Sequence, residues 1–99
     1  MLVLNKYKDQ IADLCKRYNV KRLYAFGSVL RNDFTKTSDI DFVVDFNEIP
    51  LKSYADNYFD LIYKLEDLLH REVDLIENKA IKNPYFKEEV DRNKVLIYG

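Results

Sequence analysis

One cysteine, one histidine, two glycines and two prolines are all that 99 residues hold of these types, and each scarcity removes a class of function. A single Cys15 excludes an internal disulfide and fits a reducing cytosol. It falls on the apolar side of a helical pattern and reads as a small core residue rather than a nucleophile. His70 ends a predicted helix beside Arg71, where a capping or solvated role suits it better than catalysis. There is no Gly-x-x-x-x-Gly-Lys loop, which excludes P-loop chemistry. No apolar run reaches membrane-spanning length and no signal-peptide pattern is present, so the chain is expected to be cytoplasmic with no membrane partner. Charge of neither sign is in surplus: 16 basic and 17 acidic residues nearly cancel, which gives no general attraction to nucleic acid.

What is present is apolar and aromatic. At 47% apolar, with 14% Phe and Tyr, this is a packed globular chain, expected to form one domain over 1–99. A chain of this length buries about two-thirds of its unfolded surface. The charges are unevenly spread. Lys6 to Arg22 carries six bases against two acids, which solvated surface explains. Asp33 to Glu48 carries five acids against one base, interleaved with apolar strand residues. That second cluster should destabilise itself unless a cation neutralises it.

In chain order, Leu4, Tyr7, Ile11, Leu14, Cys15 and Tyr18 form one helical stripe stopped at Asn19. Val20 to Phe26 reads as a strand, Ser28 to Arg31 as a short helix, and Asp39 to Phe46 as a second strand closed by Asn47 and Pro50. Apolar positions 51, 54, 58, 61, 62, 65, 68 and 69 give a long helix over Leu51 to Leu69. Its Tyr54 and Tyr58 suit packing on the sheet, while Tyr63 fits either packing or a partner surface. Val73 to Ile76 is a short third strand, Asn83-Pro84 opens a helix, and Lys94 to Tyr98 is a fourth strand or a docked tail. The predicted fold is α/β (α+β): a small mixed sheet of three to four strands with helices mainly on one face.

The chemistry concentrates in Gly27-Ser28 and, ten residues on, Asp39-Ile40-Asp41. Strand alternation sends Asp39 and Asp41 to the same side, with Cα atoms roughly 6.5–7 Å apart. Ile40, Phe42, Val44 and Phe46 face the core. Two carboxylates so placed repel unless a cation lies between them, and hard oxygen ligands suit magnesium. Gly27 lets backbone approach a ligand closely. Ser28 is expected to cap the short helix, whose free N–H groups would face a phosphate. A third carboxylate is needed from a neighbouring strand. Asp74, framed by Val73, Leu75 and Ile76, is preferred over Glu72, which lies nearer the start of the strand and is better solvated. Haloacid-dehalogenase-type phosphatases and sugar-nucleotide glycosyltransferases also use Asp-x-Asp. Theirs ends an apolar strand, whereas Phe34 to Ser38 is mostly polar and the apolar run follows.

Gly27-Ser28, ten residues, Asp39-Ile40-Asp41, together with Arg31, Ser38, Asp74 and the Asn83-Pro84-Tyr85-Phe86 helix start, resembles the minimal nucleotidyltransferases (MNT) of the DNA polymerase beta superfamily. These are often encoded with a HEPN-domain toxin. The resemblance runs from about Val20 to Ile76. It implies a polymerase-beta-like nucleotidyltransferase fold. Asp39, Asp41 and Asp74 would be the catalytic carboxylates and ligands of two magnesium ions, and Gly27, Ser28 and Arg31 would bind nucleotide. It also implies transfer of AMP from ATP to a hydroxyl, a tyrosine of the HEPN partner. Where relatives often have Gly after this Arg, Asn32 stands here, a residue that tolerates a left-handed backbone. A binding-only antitoxin is the alternative, against which three mutually repulsive carboxylates argue. An antibiotic nucleotidyltransferase is disfavoured because no second domain is expected to hold a sugar. Association between copies of the chain is left open.

Overall fold

The computed structural model describes residues 2–31 and 38–99. In order, the elements are α1 (Leu2–Lys6), α2 (Lys8–Arg17), β1 (Val20–Phe26), β2 (Ile40–Phe46), α3 (Leu51–Leu69), β3 (Val73–Glu77), α4 (Pro84–Asn93) and β4 (Val95–Tyr98), with 3-10 turns at Gly27–Leu30 and Asn78–Ala80. The strands lie in the order β3-β2-β1-β4. β1 is antiparallel to both β2 and β4, and β2 is parallel to β3, so α3 is the crossover between two parallel strands. The tail is therefore a fourth strand, and the sheet is mixed as expected.

Period-two alternation places Ile40, Phe42 and Val44 of β2 on one face, all fully buried with Leu23 and Ala25 of β1. Ile11 and Cys15 of α2 and Leu61, Leu65 and Leu69 of α3 close that core. Burial pushes the Cys15 thiol up to about 12, which keeps it protonated and inert. Asn19 and His70 both adopt left-handed backbone (φ 62 and 56) and turn the chain out of α2 and α3. The single N-terminal helix expected from the apolar stripe is broken at Tyr7, whose N–H bonds Leu4 O at 3.2 Å. The turn leaves Leu4 and Ile11 on the same core, so the stripe survives the break.

Tyr58 donates to Leu75 O and Tyr54 to Glu77, which fastens α3 to β3. Tyr63 is largely exposed. The expected placement of helices mainly on one face holds for α1 to α3. The exception, α4, covers the opposite face: Val43 and Val90 are both fully buried yet stand outside the main core, and Phe86 packs edge-on against Phe26 at 5.9 Å. No helix among the described residues is long and apolar enough to cross a membrane.

Candidate active site

Sheet register builds the site. Phe26 pairs with Asp41 across β1 and β2, and Asp41 pairs with Asp74 across β2 and β3. These three side chains form one row on the face opposite the main core, and Tyr24, Val43 and Ile76 form the next. Asp74, preferred from the sequence, is thus the strand neighbour of Asp41. The expected difference in solvation does not separate the two, since Asp74 is exposed as Glu72 is; register does, because Glu72 lies before β3, where its carbonyl accepts from Ile40 N at 3.0 Å.

Asp41 and Asp74 are joined by a side-chain hydrogen bond. Asp41 is pushed from 3.8 up to about 6, first by burial, then by the charge and hydrogen bond of Asp74, and then by Asp39. Arg31 opposes the rise, so its guanidinium charge reaches the same carboxyl. Asp39 is exposed, one residue outside the strand, and acts on Asp41 through charge. Among the described residues no three His, Cys, Asp or Glu side chains are grouped to enclose a metal. Two carboxylates therefore meet directly, and Asp39 reaches Asp41 through charge without joining the pair. This donor set still fits a hard divalent cation. All the donors are carboxylate oxygens, and a bound cation would offset both the burial and the Asp74 charge that push Asp41 up.

Gly27 has φ +81, and a Cβ added there would lie 2.5 Å from Asp41 Oδ2. Only glycine lets the turn pass that close to the carboxylate. The expected cap by Ser28 is corrected. The strand ends at Phe26, which occupies the N-cap position without a side-chain cap, so Ser28 lies inside the turn. Its Oγ donates instead to Asp39 O at 3.2 Å, tying the turn to the start of β2. Arg71 Nη1 donates to Ser38 O at 3.1 Å and steadies the same approach. Asn32 lies outside the described residues. His70 is an exposed helix terminus, as expected.

Phe26, Phe86 and Val90 were not legible as site residues, because α4 carries too few apolar positions to reveal which face it covers. The available signal was Val43, an apolar residue between Asp41 and Asp45 on the acidic face, which implies a cover. A cleft of about 510 Å³ lies between α4 and the glycine turn, lined by Phe26, Gly27, Leu30, Arg31, Glu89, Asn93 and Val95. Another, of about 580 Å³ around Phe46, Tyr54 and Lys79, opens at the far end of β2, away from the carboxylates.

Residues 8–97 match the nucleotidyltransferase domain family. A Methanocaldococcus jannaschii protein named as a protein adenylyltransferase is 38% identical over 95 residues, which is 96% of this chain and 91% of that protein. A solved minimal nucleotidyltransferase superposes with TM-score 0.77 at 29% identity, covering 93% of this chain and 90% of its own. A complex of an MNT antitoxin with a tri-AMPylated Shewanella oneidensis HEPN toxin shares the fold, with TM-score 0.67 at 19% identity, covering 97% of this chain and 72% of its own.

Proposed function

Since the chain belongs to the nucleotidyltransferase domain family, we propose that it transfers AMP from ATP to a hydroxyl of a partner protein, a tyrosine of a HEPN-domain toxin. The observation that carries this reading is the register pair Asp41–Asp74 beside a glycine turn that admits no side chain. The relatives support it: one is named for protein adenylyl transfer and another is seen with an AMPylated toxin.

The roles follow from position. Backbone N–H groups of Gly27 and Ser28 hold the triphosphate, with Arg31 supplying charge beside it. Asp39, Asp41 and Asp74 would hold magnesium, which when bound supplies positive charge to the phosphate oxygens. The partner hydroxyl attacks the α-phosphorus as its proton passes to Asp74. A new P–O bond to the acceptor forms, the bond to the β-phosphate breaks, and pyrophosphate leaves.

Incubation with ATP, magnesium and the HEPN partner should add adenylate mass to that partner. Asp39→Ala with Asp41→Ala, and Asp74→Asn, should abolish the mass gain, while Glu72→Gln leaves it. A partner neutralised without any mass change would overturn the reading in favour of binding alone.

A further inference from the structure

We propose that Tyr85 is the platform on which the nucleoside base of the bound nucleotide stacks, an assignment that rests on the functional reading above. Three observations place it. First, α4 lies across the row Tyr24–Val43–Ile76: Val43 and Val90 are fully buried against this face, and Lys94 Nζ stands 4.4 Å over the Tyr24 ring. The neighbouring row is Phe26–Asp41–Asp74, so one long edge of α4 borders the carboxylates.

Second, that edge is identified by contact. Phe86 meets Phe26 at 5.9 Å and 84°, and Glu89 and Asn93 line the cleft at Gly27. With 3.6 residues per turn, Tyr85 projects from the same edge as Glu89 but further from buried Val90. That edge borders the site, and Tyr85 is 83% exposed on it. Since α4 leads into β4, which pairs with β1, residues before Phe86 lie toward β2 and β3, where the carboxylates stand.

Third, the reaction axis selects this end. The triphosphate tail sits at Gly27 and the transferred phosphorus at Asp41, so the nucleoside leaves from the Asp41 end. The cleft beyond Gly27 lies at the leaving-group end. The exposed rings of Phe59 and Tyr63 stand on α3, which packs on the other face.

The backbone that carries the ring is fixed. Asn83 Oδ1 accepts from the N–H groups of Tyr85 at 2.9 Å and Phe86 at 3.1 Å, which fixes the first turn. An aromatic face suits any base, and its loss costs about tenfold in affinity.

The test is calorimetric binding of ATP and of inorganic tripolyphosphate, both with magnesium, to the full chain. Tyr85→Ala should weaken ATP about tenfold, leave tripolyphosphate unchanged, and be rescued by Tyr85→Phe. Equal ATP affinity in Tyr85→Ala would overturn the assignment, and so would an equal loss for both ligands. Unchanged ATP affinity with a raised KM for the acceptor protein would overturn it in favour of acceptor docking. Tripolyphosphate binding by the wild type keeps the functional reading standing whichever way Tyr85 falls. Its absence, with ATP also unbound, would overturn both.

Discussion

Asp41→Asn should stabilise the protein at neutral pH while removing its magnesium response. Asp41 rises from 3.8 to about 6 on folding, so the native state holds its proton more tightly than the unfolded chain does. The stability this contributes is fully present below about pH 3.8 and is lost as pH rises through about 6. The shift corresponds to roughly 3 kcal/mol at face value. Asp41 is only partly buried, and solvent screening reduces this to about 1 kcal/mol. For a chain of this size that is about 4–8 °C in Tm. The asparagine variant carries no charge to lose. The difference in Tm between variant and wild type should therefore be small near pH 4 and should open in the variant's favour toward pH 7. Magnesium at pH 7 should raise the wild-type Tm and leave the variant unmoved, and should do less below pH 6, where protons compete for Asp41. Thermal melts across pH 4 to 7, with and without magnesium, measure both effects. A difference that stays constant with pH, or a variant less stable than wild type at pH 7, would refute the reasoning.

Gly27→Ala combines a left-handed backbone, costing about 1–2 kcal/mol for a side chain, with a Cβ 2.5 Å from Asp41 Oδ2. ATP affinity by calorimetry should fall about tenfold or more, and wild-type affinity would show that the turn does not border the nucleotide. Asn83→Ala removes the cap on Tyr85 and Phe86 and should cost about 1 kcal/mol in thermal melts, with Asn83→Asp retaining the wild-type Tm. An unchanged alanine variant would mean that the first turn of α4 does not need its cap.

The parts of this structure that sequence reveals are those where one periodicity decides the outcome. Alternation alone puts Asp41 and Asp74 on the face away from Ile40, Phe42 and Leu75, and the parallel pairing of β2 with β3 then brings the two together. The spacing of Leu61, Leu65 and Leu69 likewise leaves α3 one face to bury. What escaped was set by contacts with no period of their own. The break at Tyr7 preserves the apolar stripe and so leaves no mark in it. The shift of the turn from Ser28 to Gly27 is one residue, yet it turns an expected cap into a tie between Ser28 and Asp39. The side taken by α4 depends on Phe86 and Val90 finding Phe26 and Val43, which no single segment encodes.

These contacts explain how the sheet tolerates a site that opposes its own folding. Asp41 sits between Ile40 and Phe42, both fully buried, and each such side chain contributes about 1.5–3 kcal/mol. The cost of a charged Asp41, set first by burial and then by Asp74 and discounted to about 1 kcal/mol, is smaller than either neighbour's burial. Rotating β2 to release the carboxylate would also flip those neighbours into water, because side chains alternate strictly. The strand therefore cannot relax the acidic pair without losing several times what it would gain. Val43 adds a second anchor on the acidic face itself, fully buried there. Asp41 and Asp74 are held facing each other by the same alternation that builds the core, so substitutions in Phe42 or Val43 should disturb the site in proportion to the stability they remove.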